Sequence, residues 1–233
     1  MLSSDINIAE NIKFVREQIA EAAVKSGRVP EDVKLVAVTK TKPVDCIREA
    51  VAANVDAIGE NRVQEMLEKH SQNAYNGAPL HFIGHLQSNK VSKIVGICDL
   101  IESVSSKTLV ELIGKKAVSL GIVQDILIEV NVGREPQKSG IMPEQTEELL
   151  AIASMTGGIR VLGLMTIPPI NNKKVTNCNY YDTMFKLFVD MRAKKYDNVS
   201  VRLLSMGMSD SYVDAIHAGS NMVRIGSALF GEH

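Results

Sequence analysis

Two places in this sequence bring reactive side chains to the end of an apolar run. In Lys34-Leu-Val-Ala-Val-Thr-Lys40-Thr-Lys-Pro43, a strand-like segment delivers Lys40 just before Pro43 can open a helix. A lysine shielded by such a wall loses hydration of its ammonium, and its free amine is then a nucleophile that forms a Schiff base with a carbonyl carbon. The plain alternative is a solvated loop lysine, of which Lys42 is a ready example. The second place is Arg224-Ile-Gly-Ser227, where Gly226 lets the backbone approach an anion, Ser227 adds a hydroxyl and an N–H, and Arg224 adds a fixed charge. Just upstream, Leu204-Ser-Met-Gly-Met-Ser-Asp210 is another small, hydroxyl-bearing loop, and the two loops together suit one phosphate.

These side chains need a scaffold that gathers strand ends. Ile8, Ile12, Val15, Ile19 and Ala22 fall at helical spacing before the stop signals Gly27 and Pro30, which predicts an amphipathic opening helix. Eight short apolar runs follow, at 35–39, 57–59, 80–83, 100–103, 126–131, 159–166, 201–204 and 222–225. Helical patterns lie between them, for example at 44–53, 107–120, 143–155 and 179–195. Strands without polar alternation are buried on both faces, which crossover helices achieve around a parallel sheet. The expected fold is α/β, a single (β/α)8 TIM barrel with an extra N-terminal helix and one domain over 1–233; an open doubly wound sheet gives a similar local pattern. Lys40 then follows the first strand, and the two small loops follow the seventh and eighth. The polar stretch 168–179 is read as a long loop on the same face, either a lid or a tolerated insertion.

Composition excludes several function classes. A chain of 233 residues, 45% hydrophobic and 23% charged, can bury a sizeable core. A net charge of -1 gives no electrostatic reason to expect nucleic acid or an anionic membrane as partner. Cys46, Cys98 and Cys178 are odd in number and far apart, which suits a reducing compartment. No apolar run spans a bilayer, and charges interrupt the N-terminus where a signal peptide would sit, so a cytoplasmic location is expected. The sequon Asn198-Val-Ser200 is then chance. His81 and His85 share an i, i+4 spacing, but one belongs to a strand and the other follows Gly84, so no metal site is expected.

Val38-Thr-Lys40, Gly59-Glu-Asn61-Arg62, His81-Phe-Ile-Gly84-His85-Leu-Gln87-Ser-Asn-Lys90, Leu204-Ser-Met-Gly-Met-Ser209 and Val223-Arg-Ile-Gly-Ser227 occur in this order along nearly the whole chain. In these motifs the sequence resembles the pyridoxal phosphate homeostasis protein family, which itself resembles the barrel domain of bacterial alanine racemases. The resemblance implies a Schiff base between Lys40 and pyridoxal 5′-phosphate, and a role in binding and buffering that cofactor. It also implies that Arg224 faces the pyridine nitrogen; an arginine can only donate there, which leaves that nitrogen unprotonated and weakens the electron sink. Candidates for the phosphate are Ser205, Ser209, Gly226 and Ser227, with backbone N–H groups of Met206 and Gly207. Asn61 and His85 are expected at the ring, the alternatives being a helix N-cap for Asn61 and a satisfied structural histidine for His85.

The rival reading is a small amino-acid racemase using Lys40 as one acid/base. Racemisation moves protons on opposite faces of the α-carbon and needs a second such group. In the racemases this chain resembles, a tyrosine from an additional β-domain supplies it; here the chain ends at His233, and Tyr75, Tyr180, Tyr181, Tyr196 and Tyr212 are not expected at strand ends. A Schiff-base aldolase without cofactor is the third reading. No dimerisation segment is evident, so a monomer is expected, with apo-enzymes that use pyridoxal phosphate as the partners a carrier would serve.

Overall fold

The computed structural model describes residues 7–169 and 174–231. Helix α1 (Ile8–Lys25) begins where the Asn7 side chain accepts from the Glu10 N–H, and it buries Ile8, Ile12, Val15, Ile19 and Ala22 on one stripe. Gly27, at φ 71°, turns the chain away as expected.

Strand and helix then alternate: β1 (Lys34–Val38), α2 (Val44–Ala52), β2 (Ala57–Glu60), α3 (Val63–Ser71), β3 (Leu80–Phe82), α4 (Val91–Ile94), β4 (Leu100–Val104) and α5 (Lys107–Leu120). The second half continues with β5 (Gln124–Glu129), α6 (Thr146–Ser154), β6 (Ile159–Met165), α7 (Lys174–Arg192), β7 (Val199–Ser205), α8 (Tyr212–His217), β8 (Met222–Ile225) and α9 (Ser227–Phe230). Each strand pairs in parallel with the next. β1 also pairs with β8, Val36 opposite Arg224, which closes the barrel and removes the open-sheet alternative.

The near-continuous apolar character of the strands now has its reason. Val36, Ala57, Leu100, Leu127, Leu162 and Met222 fill the lower barrel interior, while Leu35, Ile58, Ile101, Ile126, Ile128 and Val223 face the helices. Each such Val, Leu, Ile or Met side chain, fully buried, contributes about 1.5–3 kcal/mol. α1 packs on α8 and α9, and the Asn11 amide donates to the Leu229 carbonyl at 3.0 Å, so the opening helix braces the last turn of the chain.

Two boundaries differ from expectation. The stretch expected as helix over 143–155 opens with a 3-10 turn, Pro143–Gln145, before α6. α7 starts at Lys174, so the second half of the expected 168–179 loop is helical, its polar residues carrying no apolar periodicity to betray it. Residues 170–173, within the polar stretch read as a loop, lie outside those described, as does the Cys178 side chain. Cys46 and Cys98 are free thiols. No described helix is long and apolar enough to cross a membrane.

Candidate functional site

Thr39 leaves β1 pointing outward: its Oγ1 donates to Glu60 Oε1 at 2.6 Å, and its carbonyl accepts from the Lys69 ammonium at 2.7 Å. Lys40 follows in the turn at the C-terminal end of β1, the end that opens on the barrel mouth. Lys40 is half-buried, and its side chain has no hydrogen bond or ion pair among the described residues. Thr41 takes φ 61°, and the Lys42 N–H closes the turn on the Thr39 carbonyl at 3.1 Å. Lys42 is not the solvated lysine of the plain reading. Its ammonium donates to the carbonyls of Phe230 at 3.0 Å and Gly231 at 3.4 Å, where α9 leaves them unsatisfied.

The other end of α9 begins at the loop after β8. Gly226 rests against Val38, so this loop stands beside the strand that carries Lys40. The Ser209 hydroxyl, from the loop after β7, accepts from the N–H groups of Gly226 and Ala228 at 3.3 Å each. The two loops meet on this one oxygen. Both bonds are long, and an anionic acceptor forms shorter, stronger ones with the same donors. Gly207 holds φ 98°, and a Cβ there would stand 2.7 Å from the Ala215 Cβ, so the turn admits only glycine. Ser227 is exposed at the start of α9.

Met206 and Ser205 depart from expectation. The Met206 N–H donates to the Met222 carbonyl at 3.1 Å and its side chain is buried in the outer core, so it has no N–H to lend to a phosphate. Ser205, the last residue of β7, faces the barrel interior below the mouth, and its hydroxyl donates to Glu102 Oε2 at 2.6 Å. Arg224 donates to the Ser205 hydroxyl, and to the Thr166 carbonyl at 2.8 Å. His81 Nδ1 lies 2.7 Å from the other Glu102 oxygen. Burial alone would raise Glu102, yet the His81 contact, Arg224 and Ser205 hold its carboxyl below the usual range. Burial pulls the Arg224 guanidinium down from its ordinary value, against the nearby charge of Glu102. Glu129, inward-facing above Leu127, is pushed up to about 7 by burial, with Arg224 opposing; its Oε2 has no hydrogen-bond partner among the described residues.

Asn61 follows β2, and its Oδ1 is buried without a hydrogen-bond partner among the described residues, an acceptor open to a ligand or water. It is not a helix N-cap, since Arg62 occupies that position of α3. A Cβ on Gly84 would stand 2.1 Å from the Asn61 carbonyl oxygen, so only glycine lets the end of β3 come so close. His85 is exposed, its Nδ1 2.8 Å from the Ser139 hydroxyl on the loop after β5. His81 and His85 thus serve different partners.

Residues 7–233 match the family model described as alanine racemase, N-terminal domain. The pyridoxal phosphate homeostasis protein of Aquifex aeolicus is 40% identical over 227 residues, which cover 97% of this chain and 99% of that protein. The chain belongs to the pyridoxal phosphate homeostasis protein family. PipY of Synechococcus elongatus PCC7942, whose structure was solved with pyridoxal phosphate bound, is 30% identical with a TM-score of 0.85, over 97% of this chain and 100% of PipY. An alanine racemase of Clostridium difficile shares the fold, with a TM-score of 0.75 at 18% identity over 96% of this chain and 60% of the racemase.

In this chain, Lys40, Gly207, Ser209, Gly226 and Ser227 gather at the ends of β1, β7 and β8, with Arg224 directly beneath. Asn61 and His85 follow β2 and β3 on the same face. Sequence reading misses Glu60, Glu65, Lys69, Glu102 and Glu129. Glu102 and Glu129 are legible in principle, as acids directly following runs of Ile and Leu in strands. Ser139 and Lys138, whose ammonium donates to the Pro168 carbonyl at 3.0 Å, lie in a stretch dense with turn residues after β5.

Proposed function

We propose that the chain holds pyridoxal 5′-phosphate as a Schiff base on Lys40 and helps to maintain the supply of that cofactor, with no turnover of its own. The observation that carries the reading is the meeting of the β7 and β8 loops on Ser209, beside a strand whose Lys40 side chain is unbonded among the described residues. Ser209, Ser227 and the N–H groups of Gly207, Gly226 and Ala228 suit a phosphate dianion. Arg224 suits the ring nitrogen from below, with Ser205 acting through it rather than on the phosphate. Asn61 and His85 line the ring side of the mouth. When bound, the cofactor supplies an aldehyde that captures an amine. PipY, similar over its whole length and solved with pyridoxal phosphate bound, supports the same cofactor for this chain.

The reading without turnover rests on the groups around the mouth. The Tyr75 hydroxyl donates to the Met66 carbonyl on the outer side of the barrel, and Tyr181 is buried against Ser211. Tyr212 is buried at the start of α8, its phenol raised by desolvation, and so makes a poor proton donor. The relatives are named for homeostasis, not racemisation. We place the protein in the cytoplasm as a monomer of one domain, handing the cofactor to apo-enzymes that use it.

The test is to load the protein with pyridoxal phosphate, remove free cofactor, and assay both racemisation of L-alanine and recovery of an added apo-enzyme. Recovery without racemisation is the expected result. Racemisation that disappears in Lys40→Ala would overturn the carrier reading.

A further inference from the structure

The turn that presents Lys40 is gripped from behind by a buried charge cluster that the cofactor reading leaves unused. Lys69, on the buried face of α3 one turn after Met66, donates to the Thr39 carbonyl at 2.7 Å, to Glu60 Oε1 at 2.8 Å and to Glu65 Oε1 at 2.6 Å. The Thr39 hydroxyl donates to the same Glu60 oxygen at 2.6 Å, and the Thr41 N–H donates to the same Glu65 oxygen. The two residues that flank Lys40 are thus fastened to one ammonium, Thr39 directly and Thr41 through Glu65. All three N–H donors of Lys69 are matched.

Such a cluster is a poor device for stability alone. Desolvating a cation and two carboxylates offsets most of their attraction, and an apolar side chain of similar size would fill the space as well. Burial raises the Glu60 carboxyl against the pull of Lys69 and Thr39, and its Oε2 has no hydrogen-bond partner among the described residues. What the cluster supplies is direction. It draws the Thr39 carbonyl and hydroxyl to the outer side of the barrel, and it holds Thr41 at a left-handed φ of 61° that a threonine adopts only under constraint. With both neighbours fixed, the backbone of Lys40 has one orientation.

We propose that Lys69, acting with Glu60 and Glu65, is a positioning residue that aims the Lys40 amine at an incoming aldehyde. The inference rests on the reading that Lys40 carries pyridoxal 5′-phosphate. The step it serves is balanced without a redox partner: the neutral amine adds to the aldehyde carbon, a carbon–nitrogen bond forms and one water leaves. Misaimed by a fraction of an ångström, the amine forms and holds that bond less well.

The experiment mixes pyridoxal 5′-phosphate with wild type, Lys69→Met, Lys69→Arg, Thr39→Val and Glu65→Gln, and follows the rate of adduct formation and the visible circular dichroism per bound cofactor. Lys69→Met is expected to slow adduct formation by about tenfold or more and to change the dichroism of the bound fraction. Lys69→Arg, which keeps the cation, restores part of both. A role confined to stability would move the melting temperature and leave the dichroism of each bound cofactor unchanged; that result overturns the proposal. Should Lys69→Met fail to fold, Thr39→Val cuts one tie and Glu65→Gln weakens another by removing its charge, and wild-type rate and dichroism in both would overturn it equally. Absence of any Lys40 adduct in wild type is a separate result, which removes the cofactor reading itself.

Discussion

Arg224 and Glu102 approach to 3.8 Å inside the barrel, and the Ser205 hydroxyl bridges them. Both side chains are fully or almost fully buried, and Glu102 is held in its charged form by His81, Arg224 and Ser205 together. A buried pair adds little net stability over an apolar replacement, but removing one member strands the other. Glu102→Ala is therefore expected to lower the free energy of unfolding by about 3–5 kcal/mol, measured by urea denaturation. A loss within the range of an ordinary surface substitution would show that Arg224 does not depend on Glu102.

Glu129 gives stability a pH dependence of known sign. Its carboxyl titrates at about 7 in the folded chain against 4.5 for the free side chain. Between these values the folded state binds more protons than the unfolded one. The contribution of Glu129 is thus fully present below pH 4.5 and is lost as pH rises through 7. Glu129→Gln removes the penalty, and should be more stable than wild type at about pH 8 by up to about 3 kcal/mol and indistinguishable at about pH 4. Parallel unfolding curves at the two pH values check this; an equal difference at both contradicts it.

A substitution at Ser209 tests the proposed phosphate recognition apart from ring recognition. Its hydroxyl gathers the Gly226 and Ala228 N–H groups, and none of its contacts reaches the barrel interior. Ser209→Ala should weaken pyridoxal 5′-phosphate by roughly tenfold to a hundredfold, the worth of a hydrogen bond to a charged group. Pyridoxal, which lacks the phosphate, should bind both proteins alike. Equal losses for the two ligands would remove Ser209 from the phosphate site.

Much of this fold is legible in the sequence because most of its strand residues are buried on both faces of the sheet, and Val-, Ile- and Leu-rich runs broken by helical patterns point to a parallel sheet wrapped in helices. The candidate site is legible where strand ends meet small residues, as at Lys40, Gly207, Ser209 and Gly226, which the fold brings to one face. It is not legible where one residue of register decides the side. β7 runs through Ser205, so Ser205 faces the interior and Met206 the outer core, although both adjoin the loop. Glu65 and Lys69 have the spacing of an exposed helical pair, and only the tertiary fold brings Glu60 and Thr39 to the same ammonium. The partner of Glu102 at Ser205 lies 103 residues away, beyond any local pattern.

One amine decides whether the barrel mouth is a cofactor site. Wild type and Lys40→Ala would each be incubated with pyridoxal 5′-phosphate, reduced with borohydride, digested and mapped by mass spectrometry. The expected result is one modified peptide in wild type, bearing the cofactor on Lys40, and its loss in Lys40→Ala. Modification scattered over surface lysines, or unchanged by the substitution, would contradict a Schiff base at Lys40.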